Sequence, residues 1–383
     1  MTSHASPSAA QRANDDILLE IAFYLWKPDL AAMALACHGW LNAAQEGLYR
    51  RVHMDLRSRG VFALERTLYG SAPLRGRVRH LWLRRGDEGT VYYPTFRWLA
   101  LLPAGALRSV AFAAFSDMAL CRDALRCPAA RDAPALVVRS TNLVFAAQIE
   151  EWLARPALRA LSLNLGLSFG TVRFAGAARL RRLSVAVDGA VRLGQLASLL
   201  DVLDPAVLER FDLETTYHLH PDDIPQWVAR MARHAPALKH LSITSRHRVA
   251  LEPFMDDLVQ HLPRLTGLHC GYGSFTPDLL ARLPSAVEEL TLVWGIDGSV
   301  FAPGALGMGV VHIPAPGNVP FPCDAFSDAV AAPPGTRRAL RRITVVLPEL
   351  VRADLARFGA ACARSGVVLG IRSMSDFAVD VLE

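Results

Sequence analysis

One spacing of apolar residues, apolar-x-x-apolar-x-apolar, recurs along most of this chain and constrains its fold more than any other feature. The distance between copies is 22 residues from Leu158 to Leu180 and 28 residues from Leu180 to Leu208. Leucine-rich repeats run roughly 20–29 residues, so these periods favour that class of fold. The nine clear copies begin at Val78, Leu107, Leu158, Leu180, Leu208, Leu238, Leu265, Val287 and Leu340.

The segments between the copies carry apolar residues at helical spacing, and several end in a proline just before the next copy. Proline cannot continue a helix, so each one is a stop signal. A strand followed by a helix, repeated, predicts a curved solenoid with a parallel sheet. The predicted helices are 146–153, 195–202, 223–233, 254–261 and 277–282, with weaker strands at 136–138, 310–313 and 367–369.

Residues 295–335 interrupt this rhythm because they are rich in glycine and proline. The segment predicts a long loop containing one weak strand. Long loops in compact folds are usually functional or disordered. The small number of packing side chains here favours disorder.

The N-terminal stretch 14–49 predicts three short helices. Asn14 can cap the first helix, Pro28 and Asp29 separate the first from the second, and Gly39 separates the second from the third. The second helix is apolar all round, which requires burial on every side. A segment this small cannot surround it with a core of its own. We therefore expect one face to pack on the neighbouring helices and another on a partner protein or on the rest of the chain.

This stretch resembles an F-box, the helical module that docks a substrate receptor onto the Skp-type adaptor of a cullin-RING ubiquitin ligase. The residues at the matching motif positions are Asp16-Ile17-Leu18, Ile21, Leu25, Pro28-Asp29-Leu30, Leu35, Cys37 and Trp40. Residues 48–53 resemble the exit of the F-box in fungal members that carry leucine-rich repeats. The resemblance implies an adaptor-binding set of Ile17, Leu18, Ile21, Leu25, Pro28, Leu30, Leu35 and Trp40.

Together these patterns predict an α/β protein in which a three-helix F-box at residues 13–55 precedes a leucine-rich-repeat solenoid at 56–383, after a disordered N-terminus at 1–12. The implied function is that of the substrate-recognition subunit of an SCF-type cullin-RING ligase, with the repeats binding a target protein. The alternative is a repeat scaffold whose F-box-like helices only cap the solenoid. Ala13-Asn14 favours this alternative, since F-boxes usually begin with Leu-Pro.

Charge and cysteine content exclude several other classes. The formal net charge is +5, but the basic residues are scattered arginines apart from Lys27 and Lys239, so we expect no nucleic-acid partner. The six cysteines show no Cys-x-x-Cys spacing, which argues against a zinc ribbon. The N-terminus has no apolar signal core and no stretch is long enough to span a membrane. The sequence predicts a soluble protein of the cytoplasm or nucleus.

Candidate catalytic chemistry is sparse. His218 and His220, followed by Asp222 and Asp223, could suggest a metal site, but zinc wants three or four protein ligands and either aspartate can simply cap the next helix. The sequence contains no Gly-x-Ser-x-Gly, Walker or His-Glu-x-x-His motif. We therefore expect a non-catalytic protein without a cofactor or metal.

The outward face of the predicted sheet is the surface that could carry recognition. Side chains between the apolar repeat positions point to solvent by strand alternation. Taken singly, each residue fits an ordinary solvated face. Taken together, they fit the binding surface that solenoids present. The predicted target-binding residues are His80, Trp82, Arg182, Arg210, Asp212, His240, His269, Glu289 and Arg342.

Overall fold

The structure is a computed structural model. It describes residues 9–36, 38–84, 92, 94–115, 118–140, 146–165, 171–173, 176–187, 193–215, 224–245, 253–294, 321–331, 339–347 and 355–373. The chain divides into two compact units. The N-terminal unit comprises Met1–Asn142 and Arg155–Leu158, and the C-terminal unit comprises Leu143–Ala154 and Arg159–Glu383.

The N-terminal unit begins with three helices, α1 (Ala9–Tyr24), α2 (Lys27–Ala36) and α3 (His38–Arg50). They share a small core to which each helix contributes. Leu18, Leu19, Leu25, Ala34 and Leu48 pack partly buried against it. The buried residues of this core are Ala22, Leu30, Met33, Ala43 and Ala44.

The starts of these helices correct three predictions. Helix α1 begins at Ala9, so residues 9–12 are helical rather than disordered and Asn14 lies within the helix instead of capping it. The alanines, glutamine and arginine at 9–13 are good helix formers, which explains the extension. Gly39 lies in the first turn of α3 and does not separate two helices.

Four parallel strands follow in the N-terminal unit, β1 (Arg51–Asp55), β2 (His80–Arg84), β3 (Ser109–Phe115) and β4 (Ala135–Ser140), and they pair in chain order. Strand β4 confirms the weaker copy at 136–138. The connecting helices are α4 (Gly60–Gly70), α5 (Ala72–Arg75), α6 (Arg97–Ala100), α7 (Met118–Arg126) and α8 (Pro128–Arg131).

Strand β1 corrects the predicted boundary between F-box and solenoid. The predicted F-box extends to residue 55, but residues 51–55 pair in parallel with β2. Val52 and Met54 are buried while their neighbours are exposed, which is the alternation of a strand with one face on a core. The sheet therefore begins at Arg51, immediately after α3 ends.

The described part of the C-terminal unit continues the strand–helix alternation with eight parallel strands that pair in chain order. The strands are β5 (Ala160–Leu165), β6 (Arg182–Val187), β7 (Arg210–Thr215), β8 (His240–Ser245), β9 (Gly267–Cys270), β10 (Glu289–Val293), β11 (Arg342–Leu347) and β12 (Val368–Ser373). The helices are α9 (Ala146–Leu153), α10 (Leu193–Asp201), α11 (Ile224–Arg233), α12 (Met255–Leu258) with a 3-10 turn (Val259–His261), α13 (Leu279–Arg282), α14 (Cys323–Ala331) and α15 (Ala356–Arg364).

The apolar repeat positions form the core of each unit. In β5, for example, Leu161, Leu163 and Leu165 are buried while the residues between them are partly exposed. Helix α9 has the bounds that the sequence predicts, and β12 confirms the predicted final strand. The α/β fold with parallel, sequentially paired strands is thus confirmed.

Helix α14 lies inside the segment 295–335 that was predicted to be a loop. Phe326 on α14 is fully buried, and its ring lies 4.8 Å from that of Phe321 and 6.0 Å from that of Phe358 between centroids. Aromatic burial therefore organises residues 321–331. The predicted weak strand at 310–313 lies outside the described residues.

Candidate interaction surfaces

The N-terminal helices place several large apolar side chains on the surface. Leu35 is 88% exposed and Ile21 is 47% exposed. Both belong to the adaptor-binding set implied by the F-box resemblance. We call these exposed side chains the N-terminal apolar set: Ile17, Ile21, Tyr24, Trp26, Leu35 and Trp40.

The remaining members of the implied adaptor-binding set have different environments. Leu30 is buried in the three-helix core, and Leu18 and Leu25 pack against that core while remaining partly exposed. Pro28 is exposed in the first turn of α2. The eight residues thus divide into three that hold the helices together and five that face outward.

Two aromatic members of the apolar set, Tyr24 and Trp26, are absent from the sequence-based site. Tyr24 follows Ile17 and Ile21 at helical spacing, so it shares their side of α1. That spacing was visible in the sequence. The exposure of Trp26 depends on where the short link between α1 and α2 places it.

On the outward side of the N-terminal unit, the sheet carries two of the predicted target-binding residues. His80 Nδ1 lies 2.8 Å from Ser109 Oγ. The Trp82 ring stacks on His53 with centroids 5.2 Å apart and an interplanar angle of 23°. Burial lowers the pKa of His80, and nearby arginines lower it further.

On the C-terminal unit, three predicted residues form an ionic cluster. Arg210 Nε lies 2.9 Å from one carboxylate oxygen of Asp212 and 3.1 Å from the other, and Arg182 Nη2 lies 3.5 Å from the same carboxylate. Arg182 and Arg210 are partners in the register between β6 and β7. Asp212 therefore compensates the repulsion between two neighbouring arginines. Glu289 on β10 and Arg342 on β11 form a separate ion pair, with 4.0 Å between Arg342 Nη1 and Glu289 Oε1.

His240 packs closely over the backbone of the next strand. A Cβ atom added at Gly267 would lie 2.5 Å from His240 Nδ1, which is shorter than any ordinary contact. A glycine at 267 therefore gives this imidazole the room to lie against β9. The sequence identified His240 as outward-facing but not this close approach.

Asp212, Ser242 and His269 occupy one row across β7, β8 and β9. Ser242 Oγ lies 3.2 Å from His269 Nδ1. Burial lowers the pKa of His269 to about 4, with Arg210 contributing, so its ring is a weak base. Asp212 stands two strands away from His269 and is bonded to Arg210. This geometry differs from that of a hydrolase triad, in which the histidine lies between the serine and the acid.

The depressed pKa of His269 predicts acid sensitivity. In the unfolded chain a histidine protonates near pH 6.5, whereas His269 in the folded protein resists protonation until about pH 4. Between these values the unfolded state binds the extra proton, so stability falls as the pH is lowered through this window. We expect His269→Gln to lose less thermal stability than the wild type between about pH 7 and pH 4.5.

Thermal denaturation followed by circular dichroism at the two pH values tests this expectation. His261→Gln is the matched control, because His261 is an exposed histidine of the same unit. If acidification lowers the midpoint of thermal denaturation by the same amount in His269→Gln and in the wild type, His269 does not contribute to the acid sensitivity.

The sequence-based site missed three arginines at the strand starts of the N-terminal unit. We call Arg50, Arg79 and Arg108 the arginine row, because each immediately precedes the first residue of β1, β2 or β3. The Arg79 amide donates to the carbonyl of Arg50, and the Arg108 amide donates to that of Arg79. The sequence already shows this pattern, since an arginine stands one residue before the first residue of each of these three strands.

Two features of the described residues bear on other functions. None of the described helices is long and apolar enough to cross a membrane. The described histidines, cysteines and acids form no group of three that could hold a metal ion. The pair His218 and His220, with Asp222 and Asp223, lies outside these residues.

Comparison with known proteins identifies no family. No family model matches the sequence, and no curated protein matches it. Among solved structures, the chain is similar to a protein in the crystal structure of a TLR13–ssRNA13 complex, with 12% identity and a TM-score of 0.37. The match covers 86% of this chain and spans 40% of the length of that one. This likeness is weak, and the surfaces described above rest on the chain's own strands and side chains.

Proposed function

We propose that this chain is the substrate receptor of an SCF-type cullin-RING ubiquitin ligase. Helices α1–α3 dock the Skp-type adaptor that links the receptor to the cullin scaffold, and the repeat strands bind the target protein. The receptor contributes proximity between the target and the ubiquitin-charged enzyme, with no bond-making groups of its own. This role requires no cofactor and places the protein in the cytoplasm or nucleus.

The observation that supports this proposal is the N-terminal apolar set. Helices α1–α3 already have their own core, yet Ile17, Ile21 and Leu35 remain on the surface. Exposed apolar side chains on neighbouring elements mark interaction sites in soluble proteins. These three residues also stand at apolar positions of the F-box pattern, so the exposed side chains coincide with those that the resemblance assigns to the adaptor.

The alternative function is a repeat scaffold whose first helices cap the sheet. Contacts between α3 and the segment before β2 favour this role. Arg77 donates to the Asn42 carbonyl at 3.1 Å and to the Asn42 side-chain oxygen at 2.6 Å, and it pairs with Glu46 at 3.3 Å. These bonds fix α3 against the start of the sheet. A cap alone, however, leaves the exposure of Leu35 unexplained.

Adaptor binding separates the two functions. We expect Ile21→Asp to lose adaptor affinity by on the order of 2 kcal/mol or more, because it buries an unpaired charge in an apolar contact. Affinity for a purified Skp-type adaptor, measured by titration calorimetry, tests the effect. Circular dichroism should remain that of the wild type, since Ile21 is about half exposed and lies outside the three-helix core.

Leu101→Asp is the matched control. Leu101 is an exposed apolar residue of the same unit, 50% accessible, and it follows α6 rather than belonging to α1–α3. The proposal expects this control to bind the adaptor as the wild type does. Equal adaptor affinity for the wild type and Ile21→Asp, or no affinity of the wild type, would favour the capping role.

A further inference from the structure

We infer that the arginine row, together with Arg51, is a docking surface for an acidic segment of a partner protein. The arginine row and Arg51 share no residue with the N-terminal apolar set. The two surfaces adjoin where Arg51 lies over Phe23, whose ring contacts that of Tyr24 at 5.5 Å between centroids. Binding of an acidic segment goes beyond the proposed function and does not depend on adaptor binding.

The arginine row has a regular geometry. Arg50, Arg79 and Arg108 are joined by successive backbone hydrogen bonds of 3.0 and 2.7 Å, so they occupy equivalent places just before three adjacent strands. Adjacent strands lie about 4.8 Å apart. The row therefore places three arginines side by side at the starts of adjacent strands.

The described carboxylates do not compensate the charge of the arginine row. Other arginines of the unit do have acidic partners, as Arg77 has Glu46 and Arg126 has Asp123. None of the ion pairs within the described residues involves the arginine row or Arg51. Instead, the Arg79 guanidinium donates to the carbonyls of Gly76 and Val78. The Arg51 guanidinium lies 5.2 Å from the centre of the Phe23 ring.

The electrostatic environment of His80 supports this description. Among the described residues, the charged groups that act on His80 are Arg51, Arg50, Arg108 and Arg79, and every one of them lowers its pKa in addition to the effect of burial. These described groups therefore make the surroundings of His80 positive. Arg51 and Arg108 are exposed, so their guanidinium groups are accessible to a partner.

The surface beside the row indicates a peptide rather than a nucleic acid. Trp82, Ala111 and Val137 lie in register on β2, β3 and β4, and all three are partly exposed. We call these three residues the apolar shelf. It offers an apolar contact to a side chain of a peptide, and the neighbouring polar groups, His80 Nδ1 and Ser109 Oγ, already lie within hydrogen-bond distance of each other. One face of the Trp82 ring is already covered by His53. An acidic segment that carries an apolar side chain matches both the row and the shelf.

Fluorescence anisotropy on the full-length chain tests this inference. The probe is a labelled peptide of glutamates and aspartates with one central leucine, and a peptide with lysines in place of the acids is its control. We expect only the acidic peptide to bind, and its affinity to fall with added salt because exposed charges are screened. We expect the double variant Arg51→Glu, Arg108→Glu to bind the acidic peptide about tenfold more weakly or worse.

Arg66→Glu is the matched control for the single variant Arg108→Glu, because Arg66 is an exposed arginine on α4 and each reversal changes the net charge of the same unit by the same amount. The single variant Arg108→Glu leaves the cation–π contact between Arg51 and Phe23 in place, so it tests the arginine row alone. It should also bind the acidic peptide more weakly than the wild type does. The Arg108→Glu variant should bind the adaptor with the affinity of the wild type. Peptide binding is measured independently of adaptor binding, so its result stands even if the proposed function fails.

Three outcomes would overturn the inference. In the first, the wild type fails to bind the acidic peptide, and in the second, Arg66→Glu weakens peptide binding as much as Arg108→Glu does. In the third outcome, a single-stranded oligothymidine displaces the labelled peptide at a lower concentration than the unlabelled peptide does. The last outcome would assign the arginine row to nucleic acid instead.

Discussion

Replacing Leu241 with alanine should lower the free energy of unfolding by about 2–5 kcal/mol, the usual cost of emptying a buried leucine site. Leu241 is 2% exposed and lies in β8, where it pairs in register with Phe211 on β7 and Leu268 on β9. Its neighbours on both strands are buried too, so the cavity cannot close by a simple shift of one side chain. Urea denaturation followed by circular dichroism measures the loss.

The control for this variant is Leu101→Ala, which makes the same substitution at a side chain that is half exposed. We expect it to change the free energy of unfolding by less than about 0.5 kcal/mol, as surface substitutions usually do. Equal and small effects for the two variants would contradict the assignment of residue 241 to the core and with it the register of the repeat.

The repeat strands were predictable because their signal is local. The apolar-x-x-apolar-x-apolar spacing puts its second and third apolar residues two apart, and a strand sends residues two apart to the same face. Leu161 and Leu163 are therefore buried together, and the register carries this alternation to Leu183 and Val185 on the next strand. Helix α9 was equally predictable from the helical spacing of Ile149, Trp152 and Leu153.

Strand β1 was not predictable from such a pattern. Its two buried residues, Val52 and Met54, follow directly on α3, and nothing local distinguishes them from the tail of that helix. The pairing with β2 decides the outcome, and that contact joins residues nearly 30 positions apart. The arginine row was missed for a related reason, since its members become neighbours only when the strands pair.

The candidate adaptor site was predictable in composition but not in orientation. The sequence identified Ile17, Leu18 and Leu30 as equivalent apolar positions of one motif. The structure buries Leu30, packs Leu18 partly against the same core and exposes Ile17. Which side of each helix faces inward depends on how the three helices pack together. Spacing alone fixes only which residues share a side.

Replacing Phe326 with alanine is the second large effect that we expect, at about 3–5 kcal/mol in the free energy of unfolding. Phe326 lies on α14, within the segment that the sequence assigned to a loop, and it is 0% exposed. Its ring is stacked on Phe321 at an interplanar angle of 18° and lies 6.0 Å from Phe358 on α15. Such aromatic pairs add about 0.5–1.5 kcal/mol beyond the area they bury.

Phe62→Ala separates the effect of burial from that of losing an aromatic ring. Phe62 also contacts a second ring, Tyr92 at 5.5 Å between centroids, but it is 41% exposed, so its removal empties less of the core. We expect the loss for Phe326→Ala to exceed that for Phe62→Ala by at least about 1 kcal/mol in urea denaturation. A disordered segment contributes no packing to the folded state. If Phe326→Ala left the midpoint unchanged, the glycine- and proline-rich segment would be a loop throughout, as its composition alone suggests, and α14 would not belong to the folded C-terminal unit.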